Sequence, residues 1–162
     1  MNSFIEITGA YNWYIAQDKI DGWAVKEHGI TTAMLTDYKV TPIQTVVQSL
    51  SNILDQNTIL ISHNADFTKR VLGNLYKQDG RELPDLPSIC VHKDINQISE
   101  DINAFTLEDL MKAHKITPAL IDNEVEQLGL DTSLNKKKNP VRDIVSMLLF
   151  LKDCNFIATL CD

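Results

Sequence analysis

The sequence predicts an α/β domain with a mixed sheet. Three observations carry this expectation. Alternating apolar residues near the N-terminus are followed by helix, strand, helix, strand and helices in turn. A short apolar run, Ile59-Leu60-Ile61, ends in polar Ser62-His63-Asn64 and runs straight into a helical pattern with Phe67, Val71, Leu72 and Leu75. Two further helices are announced by a proline in the first turn and an apolar stripe behind it, at Pro42 and at Pro140.

In chain order, Phe4 to Thr8 alternates as a strand does. Thr8-Gly9-Ala10-Tyr11-Asn12 supplies turn chemistry, and Trp13-Tyr14-Ile15-Ala16 reads as a second strand, so an antiparallel hairpin is expected. Gly22 to Glu27 fits one or two helical turns. His28-Gly29-Ile30-Thr31 follows, and Thr31 or Thr32 can cap the next turn. Behind Pro42, the residues Ile43, Val46, Val47, Leu50, Ile53 and Leu54 form one apolar stripe. Asp55-Gln56-Asn57 turns the chain into a strand over 58–62. Asn64 can cap the next helix, which runs to about Gln78 and stops at Asp79-Gly80. A strand is expected from Leu86 to Val91, with Pro87 at its start. Thr106 to His114 reads as a capped amphipathic helix with Leu107, Leu110 and Met111 inward. Residues 117–138 are the least regular and end in Lys136-Lys137-Lys138. From Pro140 a helix carries Val141, Ile144, Val145, Leu148 and Leu149, and Phe156 to Leu160 is the last apolar piece.

At 162 residues the chain has the size of one domain, 1–162, with a sizeable core. Hydrophobic residues at 44% and charged residues at 23% are ordinary for globular proteins. No apolar run reaches membrane-spanning length, and the N-terminus lacks a basic-then-apolar leader pattern. Cys90, Cys154 and Cys161 have no metal-ligand spacing and fit free thiols in a reducing compartment, so a cytoplasmic location is expected. The formal net charge of −7 argues against broad electrostatic binding to nucleic acid but leaves room for a local site.

His63-Asn64-Ala65-Asp66-Phe67, behind its apolar strand, resembles the second motif of the DEDD 3′–5′ exonucleases. These are the family of polymerase proofreading (epsilon-type) subunits and RNase T, whose motif reads H-N-A-x-F-D. Thr68 stands where that family has a metal-binding Asp. His28-Gly29-Ile30-Thr31 resembles the family's H-G-I-T segment, and the helix at 106–114 resembles the one before its last motif. At that last motif, H-x-x-x-x-D in the DEDDh branch, Asp143 falls on the metal-binding Asp and Lys138 on the general-base His. The first motif, D-x-E, allows two registers. In one, Glu6 is retained and Phe4 replaces the Asp. In the other, 4–10 matches the family's second strand and the D-x-E strand is absent; this register reaches His28 with the smaller deletion.

The resemblance spans about Phe4 to Leu151 and implies a ribonuclease-H-like exonuclease fold. It implies that Glu6, Thr68, Lys138 and Asp143 are the catalytic positions, now degenerate. It implies a nucleic-acid-binding surface at His28, Gly29, Asn64, Lys136, Lys137 and Arg142. Family members hold two divalent cations with four carboxylates, one activating water and the other stabilising the leaving oxygen. Here only Asp143 and Glu6 remain as candidate metal ligands, so no cofactor is expected, with Mg²⁺ or Mn²⁺ the ions if activity survives. Lysine in an acidic pocket stays charged and is a poor base; Lys138 is expected to pair with Asp143. Asp66, two residues before Thr68, points about 200° away on a helix and is expected to serve the helix N-terminus. His63 and His28 read as locally bonded, His92 and His114 as partly exposed, and Trp13 and Trp23 as core or rim packing. Three functions stay open: an inactive exonuclease-fold protein binding a nucleic-acid 3′ end or a protein partner; an active metal-dependent exonuclease with unusual ligands; and an inhibitor or scaffold module. A homodimer fits family precedent.

Overall fold

The structure, a computed structural model, describes residues 7–55, 57–98, 106–133 and 139–154. It is a mixed α/β arrangement dominated by helices. In order these are α1 (Gly22–His28), α2 (Thr32–Thr36), α3 (Ile43–Ser51), β1 (Leu60–Ser62), α4 (Ala65–Gln78), β2 (Ser88–Cys90), α5 (Val91–Ile98), α6 (Leu107–Ala113), α7 (Pro118–Gln127) and α8 (Pro140–Asp153). Among the described residues no helix is long and apolar enough to cross a membrane.

The sheet differs from the expectation. β1 pairs with β2 in parallel, Leu60 opposite Ser88 and Ser62 opposite Cys90. The N-terminal antiparallel hairpin is not formed among the described residues. Ile15 instead makes an isolated parallel bridge to Thr41, with the Thr41 N–H donating to the Tyr14 carbonyl at 2.7 Å. The second arm of the expected hairpin is held by distant partners. The Asn12 side chain donates to the Asp131 carbonyl at 2.9 Å and accepts from the Asp131 N–H at 3.2 Å, and the Tyr14 hydroxyl donates to the same carbonyl. Residues 4–6 of the first arm lie outside the described residues.

Several helix ends follow from their caps. The Thr31 hydroxyl accepts from the Met34 N–H and starts α2. Asn64 accepts from the Phe67 N–H at 3.1 Å and starts α4. Thr106 and Asp109 form a reciprocal capping box on α6. Asn139, itself buried, accepts from the Val141 and Arg142 N–H groups and starts α8 behind Pro140. Two helices were absent from the sequence pattern. α5 follows β2 directly, its first turn held by Asp94 accepting from the Cys90 N–H. α7 occupies 118–127, where no regular element is expected; it begins at a Thr117 cap and a Pro118 first turn.

The core gathers on α8. Val141, Val145, Phe150 and Leu151 pack with Leu110 and Ile116 beside α6, with Ile121 and Val125 of α7, and with Val91. Val46 and Val47 of α3 are fully buried, and Tyr76 of α4 is buried with its hydroxyl bonded by Ser51. On α4 the expected stripe is rotated. Ala65 and Tyr76 face in, whereas Phe67 and Val71 are 53% and 48% exposed.

Candidate functional site

The end of β1, the first turn of α4 and the start of α5 adjoin one another, and Ile61 of β1 packs on the cluster built around α8. His63 leaves β1, and its carbonyl accepts from the His92 N–H at 3.1 Å and from the Cys90 thiol at 3.6 Å. The two imidazole rings lie 5.5 Å apart, tilted by 50°. Burial, and secondly the neighbouring His92, push the His63 pKa below its usual 6.5; the Asp143 carboxylate on α8 pulls it back up. His63 is therefore a half-buried imidazole held neutral at neutral pH, close enough to Asp143 to feel its charge.

Thr68 is inside this junction but is engaged locally. Its hydroxyl lies 2.6 Å from the Ser62 hydroxyl and donates to the Asn64 carbonyl at 3.1 Å. A neutral hydroxyl tied to its own helix is a poor substitute for a carboxylate, which would bring charge and two free oxygens to a hard cation. Asn64 likewise spends its side-chain oxygen on the α4 cap. Asp66 turns outward, exposed, to Lys93 at 2.5 Å, and this hydrogen bond holds its pKa below the usual carboxylate range.

Other predicted residues lie elsewhere or serve local structure. His28 Nδ1 accepts from the Ile30 N–H at 3.0 Å. Gly29 ends α1 at φ 77°, a left-handed conformation that glycine adopts without strain. Arg142 is ion-paired with Asp122, which links α8 to α7. Glu6, Lys136, Lys137 and Lys138 lie outside the described residues, and so does the expected Lys138–Asp143 pair. Among the described residues no three His, Cys, Asp or Glu side chains converge to hold a metal ion. Among the described residues, the one carboxylate, tied hydroxyl and neutral imidazole at these positions do not by themselves fit a pair of Mg²⁺ or Mn²⁺ ions, which take oxygen donors and need charge compensation.

Two features escaped the sequence pattern. His92 joins His63 only because α5 starts immediately after β2. His114, partly exposed as expected, packs edge-on against Phe150; its Nδ1 is 2.6 Å from the Asp153 carboxylate and its Nε2 is 3.8 Å from the Cys154 sulfur. Burial, then Asp153, push the Cys154 thiol up to about 11, so it stays protonated. Nothing in a spacing of about forty residues announces that cluster. Trp23, expected in packing, is 74% exposed, and Trp13 stacks on Tyr11 with ring centres 5.7 Å apart. These two stacked rings line an apolar cavity of about 740 Å³ shared with Ile59, Ile61, Ile144 and Leu148. No protein-family model matches the chain, and no curated protein is significantly similar to it.

Proposed function

We propose that the chain is a DEDD-type exonuclease relative with a ribonuclease-H-like fold that has lost two-metal 3′–5′ hydrolysis and binds a single-stranded nucleic-acid end. The observation that carries this reading is that β1 runs directly into α4 while Ile61 of β1 packs on the cluster that Val141 and Val145 of α8 help to build. The two motif segments, some eighty residues apart, approach closely enough for the Asp143 charge to act on His63. At the same junction Thr68 supplies a hydroxyl already spent on Ser62 and Asn64. Proximity of the motif ends supports descent from the exonuclease arrangement, and the donor set opposes retained metal chemistry.

The test is nucleotide release from a 3′-labelled single strand with Mg²⁺ and with Mn²⁺, beside binding of the same strand and beside an Asp143→Ala control. The expected result is salt-dependent binding without release. Metal-dependent release that disappears in the control would overturn the loss of catalysis. A second reading, a protein-binding scaffold, is favoured by the apolar cavity at Trp13, where Ile59 and Ile144 remain exposed. Absence of any strand binding in a folded protein would select it.

A further inference from the structure

The outer face of α4 combines features that the chain as a whole lacks. Phe67, Arg70, Val71, Asn74 and Lys77 recur at three- and four-residue spacing, and all are exposed. This stripe contains no carboxylate, in a chain of net charge −7. The Arg70 guanidinium lies over the Phe67 ring, 5.4 Å from its centre, which fixes an exposed aromatic side chain that would otherwise turn freely. Among the described residues neither Arg70 nor Lys77 makes an ion pair, whereas Lys93, Lys112, Arg142 and Lys152 each do. Asp66, at the head of the helix, is already neutralised by Lys93 and lies close to Lys69. At the other end Lys77 shares a shallow hollow with Glu82, which closes the face.

An apolar face alone would suit many partners. An aromatic ring braced by a guanidinium, followed two turns later by a second cation, suits one chemistry. Arg70 and Lys77 are about 10.5 Å apart along the helix axis, the span of roughly two sugar–phosphate units. A single strand offers both at once: bases that stack on an aromatic edge or face and a regular row of phosphates that neutralise cations. We propose that the Phe67–Lys77 face of α4 is the track for single-stranded nucleic acid, with a base packed on Phe67 and phosphates on Arg70 and Lys77. This rests on the nucleic-acid reading above and, beyond Phe67 of the second motif, places the strand on residues of α4 that the family resemblance did not indicate.

The experiment is fluorescence anisotropy of a labelled oligothymidylate titrated with the full chain at several salt concentrations. Phe67→Ala is expected to weaken binding by about 5- to 160-fold, the value of one stacked base at ~1–3 kcal/mol. The double variant Arg70→Glu/Lys77→Glu is expected to flatten the salt slope by about 1.4, at ~0.7 per phosphate contact. Lys112→Glu/Lys115→Glu makes the same change in net charge away from α4 and is expected to have the smaller effect. Phe67 is half exposed, so its loss leaves the fold intact, which circular dichroism checks; the charge variants test the face independently of any packing. A wild-type chain that binds no strand overturns both this face and the nucleic-acid reading. A wild-type chain that binds, with the α4 variants behaving as the control does, overturns the face alone.

Discussion

His63 reports on the junction because opposed influences act on one ring. Burial and His92 favour the neutral imidazole, and Asp143 favours the imidazolium. Replacing Asp143 by Asn removes the only one of these that raises the pKa. The His63 titration, followed by NMR, is therefore expected to move to lower pH in Asp143→Asn. An unchanged midpoint would mean that the two motif ends do not face each other. The same shift has a stability consequence. A histidine whose folded pKa lies below its unfolded value contributes stability that is present above the unfolded value and is lost as pH falls through the folded one. Denaturation midpoints are expected to decline below about pH 6.5, and less steeply in His63→Asn. Much of this residue detail was hidden in the sequence. The string from His63 to Phe67 marked the turn and the cap, and both are there. It could not show that His92 stands beside His63, because that depends on β1 and β2 pairing in parallel with Ser62 opposite Cys90.

At the scale of elements, the caps decide where helices begin. Asn139 is 5% exposed and satisfies two first-turn N–H groups of α8, the helix around which the core gathers. Asn139→Ala leaves those donors unpaired in a buried place, so a loss of about 0.5–2 kcal/mol is expected in urea or guanidinium unfolding. A loss indistinguishable from zero would mean that water satisfies the cap. Such local chemistry was legible: Asn64, Thr106 and Pro140 each mark a real helix start. Less legible were elements whose partners are distant. α7 has sparse apolar positions, Ile121 and Val125, among charged ones, and its order comes from packing on α8 and from the Arg142–Asp122 and Lys152–Glu124 pairs. The alternation at 4–8 and 13–16 looked like a hairpin, yet Ile15 goes to Thr41 and Asn12 to Asp131. Those are pairings that no local pattern encodes. The α4 stripe shows the converse limit: periodicity gives the spacing of Phe67 and Val71 but not which face meets the core.

For the molecule as a whole, metal ions separate the readings without any assay of catalysis. An ion that binds the folded state alone stabilises it by RT ln(1 + [L]/Kd), about 2.7 kcal/mol at a hundredfold excess over Kd. For a domain of this size each kcal/mol moves the melting temperature by about 2–4 °C, so an occupied two-metal site would be visible in a thermal melt. Among the described residues the motif positions supply Asp143, the tied hydroxyl of Thr68 and the neutral imidazole of His63. They bring one negative charge to a place that must offset four positive ones. Addition of about 10 mM Mg²⁺ is therefore expected to leave the melting temperature where ionic-strength-matched NaCl leaves it, since no folded-state site shifts the equilibrium. A Mg²⁺-specific rise, abolished in Asp143→Ala, would show that ligands beyond the described residues complete the site. In that case the chain would hold its metals from a different ligand set, and loss of hydrolysis would no longer follow from Thr68.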